Sequence, residues 1–231
     1  MKVAVLSDIH ANIHALNAVY EDLERIGVEH ILVAGDLVGY YYWPNEVVDK
    51  LSSDTRVVCI RGNHEDMLES CFASEAETER IIAKYGSGLE YCKNLLDQSM
   101  LDWLSALPRS IEIDIGNASF YLHHGSLGST DTYLYPDSSP ALLEANFSTC
   151  DFTIFGHTHY PFLHHRGKQI MMNPGSVGQP RDVGGMASFA IINLDNRTIQ
   201  PRRVSFDVNA VIEAARNIDP ALQYLWKIME R

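Results

Sequence analysis

Five short stretches of this 231-residue chain end in side chains that bind cations or move protons. Val3–His10 (VAVLSDIH) ends in Asp8-x-His10, and Ile31–Asp36 (ILVAGD) ends in Gly35-Asp36. Val57–Glu65 (VVCIRGNHE) ends in Asn63-His64-Glu65, Phe120–Gly125 (FYLHHG) in His123-His124, and Phe152–His159 (FTIFGHTH) in His157-x-His159. In each, an apolar run of strand character stops abruptly at Asp, Asn or His. Carboxylates beside imidazoles suit a divalent transition metal. Polar groups collected in one place cost free energy unless they are paired or coordinated, so five such exits point to a site and not to core chemistry. Open α/β sheets place ligands at the carboxyl ends of their strands. Asp8 and His10, two residues apart, are expected to share one face of an extended strand.

The elements that would position these residues follow from hydrophobic period. Asn12–Ile26 has helical spacing in Leu16, Val19, Tyr20, Leu23 and Ile26, and Gly27 closes it. His30–Ala34 and Val57–Ile60 read as strands, with a helix opened by Pro44 and running to Leu51 between them. That rhythm predicts a parallel βαβαβ unit. Residues 66–108 change character: they are mostly helical, carry no metal-type cluster, and stop at Pro108. They are expected to be a cap-like helical insertion that sets substrate size. Beyond Ile111 strands return, first as a hairpin around Gly116-Asn117. Leu127–Ser139 is a polar and aromatic rim loop, and Asn173–Arg181 (NPGSVGQPR) is a loop whose amides are expected to approach a phosphate closely. A helix broken near Pro220 ends the chain. One domain over 1–231 is expected.

Composition bounds the rest. The chain is 46% hydrophobic with no run near the ~20 apolar residues a membrane span requires. The start MKVAV lacks a signal-peptide layout, which gives a cytoplasmic expectation. Cys59, Cys71, Cys92 and Cys150 have no CxxC spacing and read as reduced residues. The net charge of −12 disfavours long nucleic acid; two bound divalent cations would restore positive potential only locally, which suits a small or locally recognised phosphoester, and an oligomer is left open.

Asp8-x-His10, Gly35-Asp36, Gly62-Asn63-His64-Glu65, His124-Gly125 and Gly156-His157-x-His159, in that order, resemble the calcineurin-like metallophosphoesterase family. The Asn173–Arg181 stretch resembles its small prokaryotic phosphodiesterase branch. The resemblance implies an α/β fold of two stacked mixed β-sheets flanked by helices. It also implies a dinuclear metal site in which Asp8, His10, Asp36 and His159 hold the first ion, and Asp36, Asn63, His124 and His157 the second. Mixed N/O ligands without thiolate favour two ions among Mn, Fe, Ni, Co and Zn. A hydroxide between the metals would attack phosphorus. His64 is implied as the general acid on the leaving oxygen, with Glu65 orienting it. Arg61 and Arg181 suit phosphate oxygens, and Asn12 either touches substrate or caps a helix. Ala11 stands where similar proteins often carry Gly. The Tyr40–Trp43 cluster reads as core packing ahead of a stacking site.

The expected activity is that of a phosphodiesterase that cleaves a P–O bond. The alternatives are a phosphomonoesterase on phosphoproteins or nucleotides, including dinucleoside polyphosphates, and a non-catalytic binding scaffold.

Overall fold

The computed structural model describes residues 1–231. Its first strand, β1 (Lys2–Leu6), leads into α1 (Ile13–Ile26), β2 (His30–Val33), α2 (Pro44–Ser53) and β3 (Val57–Cys59). Strands β1, β2 and β3 are parallel neighbours, as the alternating pattern predicts. Asn12 caps α1 by accepting from the Ala15 amide, and Gly27 at φ 72° ends it. Helices α3 (Asn63–Ala73), α4 (Glu75–Tyr85), α5 (Gly88–Leu95) and α6 (Gln98–Ala106) follow before Pro108. A hairpin of β4 (Ser110–Ile115) and β5 (Ala118–His123) comes next, then α7 (Pro140–Ala145), β6 (Phe152–Ile154), β7 (Phe162–Arg166) and β8 (Gln169–Asn173). The chain closes with β9 (Met186–Asn193), β10 (Thr198–Ser205), α8 (Val208–Ile218), α9 (Tyr224–Lys227) and a 3₁₀ turn.

Two mixed five-stranded sheets result, ordered β10-β9-β1-β2-β3 and β4-β5-β6-β8-β7. The period-2 alternation of strands divides the side chains into two cores. Val3, Val5, Leu32 and Ala34 meet Phe120, Leu122, Phe152 and Ile154 between the sheets. Ala4, Leu6, Ile31 and Val33 face the other way, onto α1 and α2. Leu68, Cys71, Ile81, Leu89, Cys92 and Leu104 of α3–α6 join that same outer core, so these helices continue the layer laid down by α1 and α2. Tyr40, Tyr41 and Tyr42 are buried against the C-terminal helices, in agreement with core packing. All four cysteines are free and buried. No helix is long and apolar enough to cross a membrane.

Stacking the sheets brings the carboxyl ends of β1, β2, β3, β5 and β6 to one edge. The turns that leave them are zipped together by backbone bonds. The Ile9 and His10 amides both donate to the Asp36 carbonyl at 2.8 and 3.0 Å, and Asp8 N–H donates to Gly35 O at 3.1 Å.

Candidate metal centre

Asp8 and His10 reach the site by another route than a shared strand face. β1 ends at Leu6, and both residues lie beyond it in the left-handed region, at φ 54° and 52°. Asp36, His157 and His159 also have positive φ, at 53°, 68° and 62°. Each such residue costs of order 1–3 kcal/mol and persists only where its surroundings over-determine it. Ala11, at φ 53°, shares the conformation, which explains why glycine suits that position. The turns also approach closely enough to exclude side chains. A Cβ on Gly62 would fall 2.2 Å from Asp36 Oδ1, and one on Gly156 2.0 Å from Ser7 Oγ.

The seven metal-type residues converge. Asp8, His10 and His159 present ligand atoms within 4.8 Å of one another, and so do Asp36, His124 and His157. Asp36 Oδ2 faces both groups, 3.7 Å from His10 Nε2 and 3.1 Å from His124 Nε2. Asn63, on the first turn of α3, brings its Oδ1 to 3.0 Å from His124 Nε2. All of these side chains except Asn63, which is partly exposed, are buried.

The far side of each ring fixes which nitrogen points inward. The Nδ1–H groups of His10, His124 and His159 donate to the carbonyls of Val38 (3.2 Å), Ala34 (2.7 Å) and Gln179 (2.7 Å). A carbonyl only accepts, so each Nδ1 carries a proton and each Nε2 is the nitrogen turned toward the cluster, the arrangement metal-binding histidines use. Asp8 accepts the His157 amide at 3.1 and 3.0 Å, and Asp36 Oδ1 accepts the His64 amide at 2.9 Å. The second of these sits at the N-terminus of α3, where the helix dipole favours an anion.

This donor set fits divalent cations. His157 Nε2 is buried without a partner, and the Nε2 atoms of His10 and His159 stand 3.1 Å apart. Two lone pairs at that range repel unless a proton or a cation lies between them. Titration follows the same geometry. Burial, reinforced by Asp36, pushes Asp8 up to about 7. Burial also opposes ionisation of Asp36, but the neighbouring imidazoles outweigh it and hold that carboxyl well below its ordinary value. For His124 burial works against the cation, yet Asp36 and Asp8 raise it to about 10. Burial drives His10 and His159 well below the usual imidazole value and His157 down to about 4.

His64 stands beside this cluster, its ring 4.6 Å from that of His10 and 4.7 Å from that of Tyr40. It shares a 4.8 Å grouping with His10 and Asp36, its Nδ1 is buried without a partner, and burial pushes it down to about 4. Glu65, expected to orient His64, is placed otherwise. Its carboxylate accepts the amides of Gly62 (2.7 Å), Leu37 (2.8 Å), Asp36 (3.1 Å) and Val38 (3.2 Å), and so braces the turn that carries Asp36.

The three residues expected to contact substrate separate. Arg181 lies at the site and donates to the Tyr40 hydroxyl at 3.3 Å. Arg61 instead pairs with Asp66 at 2.8 Å and Glu69 at 2.7 Å, in a groove between α3 and α6 that contains none of the metal-type residues. Asn12 spends both ends of its amide, accepting from Ala15 N and donating to Gly178 O at 2.8 Å, so the capping reading is the one realised. The Asn173–Arg181 loop is not open to a phosphate in the expected way. The amides of Val177 and Gly178 donate to Ser7 O and Asp8 O, and Gln179 O holds His159. Sequence reasoning missed this bracing role, because backbone acceptors leave no mark on residue type.

Comparison with known proteins agrees with this fold. The model of the calcineurin-like phosphoesterase superfamily domain matches residues 1–197. An uncharacterized protein of Methanocaldococcus jannaschii is 32% identical over 229 residues, covering 91% of this chain and 90% of that protein. The phosphodiesterase YfcE of Escherichia coli is 25% identical over 204 residues, covering 84% of this chain and 89% of its own. Among solved structures, a metallophosphoesterase from Sphaerobacter thermophilus superposes with a TM-score of 0.79 at 27% identity, over 99% of this chain and 98% of that one.

Proposed function

The chain belongs to the calcineurin-like phosphoesterase superfamily and is thereby a phosphoester hydrolase, and on that premise we propose that it is a dinuclear-metal-dependent phosphodiesterase. Asp8, His10, Asp36 and His159 would hold one divalent transition metal, and Asp36, Asn63, His124 and His157 the other. The observation that carries this reading is the position of Asp36 Oδ2, which faces His10 Nε2 at 3.7 Å and His124 Nε2 at 3.1 Å. A carboxylate so placed would serve both groups of ligands. When bound, such a pair neutralises phosphoryl charge and acidifies a water toward neutral pH.

The chain's own residues do the rest. Arg181 binds a non-bridging phosphate oxygen, and Tyr40 fixes its guanidinium. His64 protonates the departing ester oxygen. Burial disfavours its charged form, whereas an anionic phosphoester drawn up beside the ring favours it. Glu65 positions Asp36 through the backbone and touches no reacting atom. Residues 66–108 are an insertion in a single domain that narrows the site through Tyr85, whose ring lies 5.6 Å from that of His64. Kinship with a protein named a phosphodiesterase supports the diester assignment.

The test is to strip the protein of metal and restore Mn, Fe, Ni, Co or Zn in turn. Turnover of bis-p-nitrophenyl phosphate is then compared with that of p-nitrophenyl phosphate. Metal-restored turnover that favours the diester is expected. Preference for the monoester overturns the diester assignment, and absence of turnover with every metal reduces the chain to a binding scaffold.

A further inference from the structure

The rim loop between β5 and α7 carries a feature the metal centre does not use. Tyr133 stacks on the imidazole of His157, with centroids 4.0 Å apart and planes at 28°. Tyr135 stacks in turn on Tyr133, at 5.6 Å and 7°. Parallel rings with centroids that far apart are offset, so each leaves part of its face uncovered. The edge of this ladder meets Tyr160, tilted by 60° at 6.0 Å.

The ladder is built into the fold. Along the extended segment Tyr133-Leu134-Tyr135 the side chains alternate. Leu134 is buried with Phe155 and Met171 on the outer face of the second sheet, which turns both tyrosines outward. The loop is tied at each end: Leu127 N–H donates to Asn146 Oδ1 at 2.8 Å, and Tyr135 N–H to Ser138 Oγ at 2.9 Å. Even so, Tyr133 is 43% and Tyr135 38% exposed, among the most exposed large apolar side chains of the chain. Aromatic rings stacked from a candidate metal ligand out to solvent have no packing reason to stay uncovered.

We propose that Tyr133 and Tyr135 form a stacking platform for an aromatic group carried on the ester substituent of the phosphate, whether attached directly or through a sugar. The substrate is then a nucleotide or aryl phosphoester, in preference to an alkyl or sugar ester. This inference rests on the phosphoesterase reading of the adjoining centre. A phosphoryl group held at the metal centre beside His157 places its ester substituent near the ladder. No charged side chain other than Arg181, on the Tyr40 side, is needed to recognise it. Stacking engages the π-face of a ligand and not its hydrogen-bonding edge, so the platform discriminates aromatic from non-aromatic and tolerates any base.

The test measures equilibrium binding by calorimetry on the metal-restored protein, with adenosine 5′-monophosphate, phenyl phosphate and ribose 5-phosphate as probes. Base stacking predicts that at least one aromatic probe binds about fivefold or more tighter than ribose 5-phosphate. Which of the two binds better separates a nucleobase from a simple aryl group. The preference should vanish in Tyr133→Leu/Tyr135→Leu and survive in Tyr133→Phe/Tyr135→Phe. Equal binding of all three probes by the unaltered protein, or a preference retained in the double Leu variant, overturns the platform. Turnover of bis-p-nitrophenyl phosphate and of p-nitrophenyl phosphate by the unaltered protein is scored separately. A preference without turnover keeps the platform and refutes the phosphoesterase reading, whereas turnover without a preference does the reverse.

Discussion

The Nε2 atoms of His10 and His159 face each other at 3.1 Å, although one residue leaves β1 and the other leaves β6. Both rings are locked from behind, by Val38 O and Gln179 O, so neither can rotate its Nδ1–H inward without abandoning a buried carbonyl. Opposed lone pairs held in place by the backbone amount to a preorganised cation site.

His159→Ala should therefore remove one ion and not merely loosen it. Outer partners of a metal ligand alone are worth 10–100-fold in affinity, and the ligand itself is worth more. Elemental analysis of the variant should give at most one metal per chain, and the melting temperature should rise less on adding Mn than for the unaltered protein. Two metals retained per chain would remove His159 from the first site.

His64→Ala should keep both metals and lose rate. A general acid contributes ~10²–10⁴-fold, with the larger loss for a poor leaving group such as an alkoxide. The comparison is kcat for methyl p-nitrophenyl phosphate, which expels p-nitrophenolate, against kcat for a dialkyl ester. Equal losses for the two, or none, would take His64 out of the chemistry.

The turns into the site were only partly legible in the sequence. The five apolar runs ending in Asp, Asn and His mark the side chains that converge, because burying so many polar groups together needs a shared purpose. What hid was the backbone. Asp8 and His10 converge through consecutive left-handed turns, a conformation that side-chain pattern does not encode. The family resemblance assigns Glu65 to His64, its neighbour in sequence. In space it serves four amides that only the folded turn gathers. Arg61 shows the converse: guanidinium chemistry suits phosphate, but Asp66 and Glu69 on the next helix claim it first.

Glu65→Gln separates support from catalysis. The carboxylate accepts from Gly62, Asp36, Leu37 and Val38, whereas a carboxamide offers one acceptor oxygen and turns an NH₂ toward amide donors. A stability loss of about 1–3 kcal/mol is expected by urea denaturation, with weaker metal binding because Asp36 is no longer braced. Unchanged stability would contradict the bracing role.

Acid should act on His64 with a definite sign. Burial lowers its folded value to about 4, against ~6.5 in an unfolded chain. The unfolded chain therefore binds the proton first as pH falls. The stability gained by keeping His64 neutral is complete above ~6.5 and is lost between there and about 4. In metal-stripped protein, the stability of the unaltered chain minus that of His64→Gln should fall across this window by up to about 3 kcal/mol. A difference that does not vary with pH would contradict a neutral, buried His64.

The most direct measurement is anomalous scattering from crystals grown with Mn. Two peaks about 3.5–4 Å apart are predicted, one beside Asp8, His10 and His159, the other beside Asn63, His124 and His157, with Asp36 between them. A single peak, or peaks away from these residues, would contradict the dinuclear centre.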